Sequence, residues 1–245
     1  MLANRIWLII ITFVIMVTLS VLTMEPIVAG GITIVVIVIG YIFIAYVRGK
    51  KRLNILEEKC DPQSFIEATE KQIHITGKNP KIKVYLNIDK AAGLIVKGEF
   101  QKAKDILISI DKSSLSVKNG SLLVYTLNLI LCSYELGEIA YAEELFETQV
   151  PLLSPVNPRM VQSMEFLIAE RFFYMKKFER SKEKFQELQK EKISLRNRLE
   201  ILFRLAKIDE ANGDTDSAKQ KYKEVSDNGG KLWVSLQAKN YLENM

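Results

Sequence analysis

Lys97-Gly98-Glu99-Phe100-Gln101-Lys102-Ala103 reads as a tight turn leading into a helix, and the chain returns to it three times. Leu136-Gly137-Glu138-Ile139-Ala140-Tyr141-Ala142, Lys176-Lys177-Phe178-Glu179-Arg180-Ser181 and Asn212-Gly213-Asp214-Thr215-Asp216-Ser217-Ala218 share its layout. The small residues Ala103, Ala142, Ser181 and Ala218 are separated by 39, 39 and 37 positions. A large residue follows each by four positions: Leu107, Phe146, Phe185 and Tyr222. Seven positions before each turn stand Ala91, Ile130, Ala169 and Ala206. Two antiparallel helices approach closely only where one offers a small side chain to the other, and Gly accepts the positive φ that reverses the chain. A lone helical pair cannot bury its apolar face, so such pairs are expected to stack.

Upstream of the repeats, Asp61-Pro62 predicts a helix start, with Asp as cap and Pro at the first helical position. Phe65, Ile66, Thr69 and Ile73 form one face of that helix, and Thr76-Gly77-Lys78-Asn79-Pro80 ends it. Strand-like alternation is absent over any useful length, so the fold class is all-α.

At the front of the chain, Ile6–Thr23 and Ile27–Val47 hold no charge and flank Met24-Glu25-Pro26. Each run suffices for a helix crossing a bilayer core of ~30 Å. As a single helix they would extend ~63 Å, and Pro26 disfavours continuation, so the expectation is a transmembrane hairpin of helices 6–23 and 27–47. A cleaved signal is disfavoured, because the first run is long and no small-x-small site precedes Glu25. Arg48, Lys50, Lys51 and Arg52 follow the second run, whereas the turn between the runs carries only Glu25. By the retention of basic residues, residues 1–5 and everything after residue 47 are expected on the cytoplasmic side of a cell membrane. Trp7, Tyr41 and Tyr46 suit interfacial anchors. Residues 48–60 then form a basic juxtamembrane linker, and 61–245 the helical domain.

The turns and the small–large spacing resemble the tetratricopeptide repeat family from Lys83 to about Val225, with Lys231–Asn244 as a terminal helix. Gly98-x-Phe100-x-x-Ala103 followed by Leu107 matches the family pattern, as does Ala169 with Phe172, Phe178, Ser181 and Phe185. The departures are a period three to five residues longer than the family's 34, Lys176 at the third turn, and Thr215 where an aromatic is expected. Ser154-Pro155-Val156-Asn157-Pro158 reads as one of the longer connections. The Cys60-Asp61-Pro62 segment is similar to membrane-tethered bacterial repeat proteins of low-GC Gram-positive organisms. The resemblance implies an α-solenoid of about four helix pairs, with the first helix of each pair lining a concave groove for an extended or helical peptide. Carried over by register, the groove is lined by Tyr85, Ile88 and Ile95; Leu127, Leu131 and Tyr134; Phe166, Glu170 and Phe173; and Phe203, Lys207 and Glu210. The lysine–asparagine pattern that clamps a peptide carboxylate in some members is missing.

The chain has 34 Lys+Arg and 29 Asp+Glu, a formal net charge of +5. Residues 48–52 supply four of those positive charges and residues 53–245 only one, so nucleic acid is not the expected partner. Two cysteines make no disulfide framework. Cys132 reads as a small core residue and Cys60 as a surface one. His74 stands alone near a helix end, without the companions a metal site needs. No phosphate loop, dinucleotide fingerprint or nucleophile elbow occurs, and carboxylate pairs such as Glu57-Glu58 and Glu143-Glu144 lie on polar helix faces. The expectation is therefore a non-enzymatic, membrane-anchored scaffold or adaptor without cofactor, metal or small-molecule substrate. Its partners are a lipid bilayer and a protein whose apolar peptide segment enters the groove. Two other readings compete: a subunit of a transport, secretion or envelope-assembly complex contacted mainly through the hairpin, and a groove filled or capped by residues 231–244 with Leu232, Trp233, Leu236 and Leu242.

Overall fold

The computed structural model describes residues 11–18, 21, 25–76 and 79–244, and among these the regular structure is helical throughout. The chain divides into two units, Met1–Lys51 and Arg52–Met245.

The first unit is dominated by helix α1, Pro26–Glu57, whose last turns enter the second unit. Its apolar side chains from Ile27 to Tyr46 are largely exposed, and it is long and apolar enough to cross a membrane. The Thr33 hydroxyl donates to the Ala29 carbonyl at 2.8 Å, which satisfies the hydroxyl without water. Of the expected first span, 6–23, residues 11–18 and 21 are described and are helical. Trp7 and Arg5 lie outside the described residues. The basic segment expected as a linker is instead helical from residue 48 to Glu57, because Leu53, Ile55 and Leu56 continue the helix into apolar packing in the second unit.

The second unit continues with α2 (Pro62–Thr76), α3 (Pro80–Lys97), α4 (Phe100–Ile108), α5 (Ser121–Glu135), α6 (Ile139–Gln149), α7 (Pro158–Tyr174), α8 (Phe178–Gln189), α9 (Leu195–Ala211), α10 (Thr215–Asn228) and α11 (Trp233–Asn244). Consecutive helices from α2 to α6 and from α7 to α11 pack on one another, and α3, α5 and α7 also lie side by side. Starts are set by side-chain caps. Asp61 accepts from the Ser64 amide, Asn79 from Lys81 and Ile82, Asn157 from Met160, and Ser194 from Asn197. Gly77 and Lys78, expected between α2 and α3, lie outside the described residues.

The four turns quoted above share one geometry. Gly98, Gly137, Lys176 and Gly213 have φ of 85°, 77°, 57° and 83°. The next residue in each, Glu99, Glu138, Lys177 and Asp214, donates its amide five residues back at 2.8–2.9 Å. The turn residue itself donates three residues back, to Ile95, Tyr134, Phe173 and Glu210. This paired bonding satisfies carbonyls that a helix end would leave open. Five residues after each turn, Ala103, Ala142, Ser181 and Ala218 are fully buried, as are Ala91, Ile130, Ala169 and Ala206 on the preceding helix.

The first and last elements of this unit meet. The Lys231 amide donates to the Cys60 carbonyl at 3.0 Å, and the Lys231 ammonium pairs with Asp61 at 2.8 Å. Cys60 is thereby buried, contrary to the surface position expected from sequence, and burial raises its thiol to about 11. The cause is the chain reversal there: Cys60 has a φ of 51° and is packed under Gly230.

Candidate binding cavity

The helices that open successive pairs, α3, α5, α7 and α9, enclose a cavity of ≈190 Å³. That is about the share of six waters in the liquid. Leu53, Leu56 and Glu57 at the end of α1, with Trp233 and Val234 on α11, close it from the other side. The α5 wall is Val124, Leu127, Asn128, Leu131 and Glu135, a spacing that puts all five on one helix face. Gln162, Ser163, Phe166 and Glu170 on α7 follow the same rule, as do Arg196, Asn197, Glu200 and Arg204 on α9. Ser163 is exposed as well as lining, so the cavity opens beside it.

Two arginines organise the charge. Arg204 is 5% exposed and donates through Nε to both oxygens of Glu170 at 2.7 and 3.0 Å. Its Nη2 bonds Glu135 and the Tyr174 hydroxyl. Its guanidinium also lies 5.0 Å from the Phe173 ring and 5.7 Å from that of Trp233. Arg196 bonds Glu57 at 3.1 Å and Glu200 at 2.8 Å, and the Ser194 hydroxyl donates to Glu57. Burial pushes the Glu170 carboxyl up to about 7 despite Arg204, and it raises Glu200 and Asp89 against their arginines. Burial also acts upward on Glu57, but Arg196 and Ser194 outweigh it and hold this carboxyl low. Burial opposes the charge on both guanidiniums, yet the carboxylates around them win and keep each charged. The wall thus carries five carboxyl groups (Glu57, Asp89, Glu135, Glu170, Glu200) against two guanidiniums. The Asn128 amide nitrogen is buried at the wall and has no hydrogen-bond partner.

Of the twelve residues expected along a groove, Ile95, Leu127, Leu131, Phe166 and Glu170 line this cavity. The other seven do not, and the reason is packing. Ile88 is 4% exposed within the core formed by α3 to α7. Tyr134 is buried, donates to Glu143 and stacks on Tyr174 with ring centroids 4.9 Å apart. Phe173 packs edge-on against Tyr174 and beside Phe178. Phe203 is fully buried between Tyr222 and Trp233. Tyr85 is exposed on the outside, where its hydroxyl accepts from Asn119 at 3.1 Å. Lys207 lies over the Phe203 and Tyr241 rings, and Glu210 accepts from Tyr222, so neither reaches the wall. On α3 and α9 the wall is displaced by one position, from Ile88 to Asp89 and from Phe203 to Arg204, which exchanges an apolar lining for a charged one.

Arg52 pairs with Asp89 and lies 5.9 Å from the Phe65 ring, because the end of α1 is drawn into the apolar packing of this unit. Arg48, Lys50 and Lys51 are exposed and form no ion pairs among the described residues. The terminal segment meets the cavity through Trp233, which packs edge-on against Phe100 at 5.3 Å and Phe203 at 5.4 Å. Leu232 is fully buried and Leu242 joins the same core, while Leu236 is exposed. Arg196, Glu200 and Arg204 were the readable signal that sequence reasoning passed over: charges at i, i+4 and i+8, which share one face of a helix whose Leu199, Phe203 and Ala206 are core. Among the described residues no group of three or more His, Cys, Asp or Glu is placed to hold a metal ion. No protein-family model, no curated protein and no solved structure matches this chain.

Proposed function

We propose that this chain is a membrane-anchored, non-enzymatic adaptor. In this reading residues 6–23 and 27–47 form a two-span hairpin with both termini on the cytoplasmic side, and the helical unit is a tetratricopeptide-like stack of about four pairs. The concave side of the stack is largely occupied by its own α11 and by the end of α1, which narrows the expected open groove to the cavity between α5, α7 and α9. The partner is a protein that inserts a short segment there, with an apolar side chain against Leu131 and Phe166 and a cationic group toward the carboxyl-rich end. The observation that carries this is the unpartnered Asn128 amide in a wall that combines Leu and Phe with an excess of carboxyl groups. A buried polar nitrogen without a partner costs about 1–3 kcal/mol, and a bound backbone carbonyl relieves it. Tethering two binders to one membrane raises their effective concentration without any new contact.

A photo-crosslinker at Ser163, the mouth of the cavity, tests this in native membranes. The expected result is one discrete adduct that disappears when Leu131→Trp fills the space, with helical content unchanged. A Ser163 adduct pattern identical to that of a crosslinker at Glu179, remote from the cavity, would reject the reading.

A further inference from the structure

One end of the helical unit, which holds the connections before α3, α5 and α7, is rich in cations. Asp111 borders the second of these and Glu191 lies in the connection before α9, but residues 71–88, 112–134 and 148–164 themselves contain no Asp or Glu. They contain Lys71, Lys78, Lys81, Lys83, Lys112, Lys118 and Arg159. Of the turns at the other end, 135–144 and 209–216 each hold four carboxylates and no Lys or Arg, whereas 97–104 and 176–182 are basic. The overall charge of residues 53–245 conceals this basic surface, because acids elsewhere in the unit offset it.

Packing joins the basic connections into one surface. Asn119, in the connection before α5, bonds Tyr85 on α3. Gly120 stands so close to Met160 and Val156 that a Cβ there would collide with both, which places the connection before α5 against the one before α7. Lys81, Lys83, Lys118 and Arg159 are exposed, and among the described residues none forms an ion pair, although the charge of Arg159 reaches Glu57. Between them Ile82, Tyr85, Val117, Val156 and Val161 are exposed as well. Unpaired cations interleaved with small apolar groups and a tyrosine suit one environment above others: a phospholipid interface, where the cations meet headgroup phosphates and the apolar groups meet the acyl boundary. A folded acidic protein would satisfy the cations but leave the dispersed valines and isoleucine unanswered.

We infer that this end of the helical unit docks on an anionic lipid surface. The inference goes beyond the cavity reading and does not depend on it. Its attraction is electrostatic across a distance comparable to the Debye length, so it weakens as salt rises.

The test uses the full chain carrying Val117→Cys. Cys60 and Cys132 are buried, so the new thiol is the accessible one to label with a polarity-sensitive fluorophore. The protein is reconstituted into vesicles of phosphatidylcholine, alone or mixed with phosphatidylglycerol. With the anionic lipid, the label is expected to shift to the blue and to be quenched by nitroxide-bearing lipid. Both effects should vanish in high salt and in the combined Lys81→Gln, Lys83→Gln, Lys118→Gln and Arg159→Gln variant. The same label at Glu179→Cys, on the opposite end, should report water in every mixture. Equal spectra in the two lipid mixtures, or equal quenching at both positions, overturns the inference. So does a response to soluble polyglutamate or an RNA oligonucleotide in place of the anionic lipid, which would assign the surface to a soluble polyanion. Retention on phosphatidylcholine vesicles after a salt wash reads the spanning anchor separately. A chain that washes off still decides the inference when added from solution to the anionic vesicles.

Discussion

Helices α1 and α5 are both strongly apolar, and they meet opposite fates. Ile27, Ile34, Val35, Ile39 and Phe43 of α1 are exposed. In α5, only 15 residues long, Leu123, Tyr125, Leu127, Leu129, Ile130, Cys132 and Tyr134 are all buried under neighbouring helices. Apolar composition demands cover but does not say of what kind. Length decides first: 15 residues rise ~22 Å and fall short of a bilayer core, whereas the 32 of α1 exceed it. Neighbours decide second, since α4, α6 and α7 surround α5.

The sharpest way to break this comparison is the same substitution in both helices. Ile130→Asp places an unpaired carboxylate at a site with no exposure, at a cost of more than about 4 kcal/mol, and the helical unit should lose its cooperative thermal transition. Val36→Asp should leave that transition where it is and instead disfavour membrane insertion by about 3 kcal/mol. Circular dichroism melts and vesicle flotation read the two effects independently. If Val36→Asp lowers the melt as Ile130→Asp does, protein rather than lipid covers α1.

A second contrast concerns charge. Protein cover, unlike lipid, admits ions if they are paired, and Glu135 at the end of α5 is held by Arg204, which also holds Glu170. Arg204→Ala leaves two carboxyl groups without their cation and should cost about 3–5 kcal/mol in denaturant unfolding. The pH dependence carries the finer signal. Glu170 titrates near 7 in the folded chain, above its ordinary 4.5, so between those values the native state keeps a proton that the unfolded chain has released. Its contribution to stability is therefore greatest below that window and is lost as pH rises through it. Glu170→Gln should flatten this fall when urea midpoints are compared on either side of the window. A variant whose midpoints track the parent at every pH would remove Glu170 from the account.

Much of this architecture was legible in the residues themselves. The turn glycines announce positive φ, and the alanines beside them announce close helix contact, because only those residue types satisfy those geometries without strain. The register of the cavity wall was not legible. Helices α5 and α9 are buried on more than one face, so a helical period cannot tell the face packed against a partner helix from the face turned toward a cavity. The register carried over from the repeat pattern then selected Ile88, Tyr134, Phe173 and Phe203, which pack in or against the core, and passed over Asp89, Asn128 and Arg204, which line the space. The contribution of Leu53, Leu56 and Glu57 was hidden for another reason: it depends on α1 running unbroken past its basic segment, and on contacts with residues more than a hundred positions away.

The mildest test leaves both apolar helices untouched and alters only the third turn. Lys176 adopts a φ of 57° where its three counterparts are glycine, and its side chain is exposed without an ion pair. A residue with a Cβ is strained there by about 1 kcal/mol, partly offset by the greater freedom glycine has in the unfolded chain. Lys176→Gly should therefore raise the stability of the helical unit by up to about 1 kcal/mol, while Gly137→Ala, at a φ of 77° with open space around it, should lower it by a similar amount. Neither change should alter flotation with vesicles, because neither touches α1. Opposite signs at equivalent turns would establish that the four reversals are one device used four times, with the third carrying a residue its backbone does not favour. If both substitutions moved stability the same way, the common geometry of the turns would no longer account for the repeat.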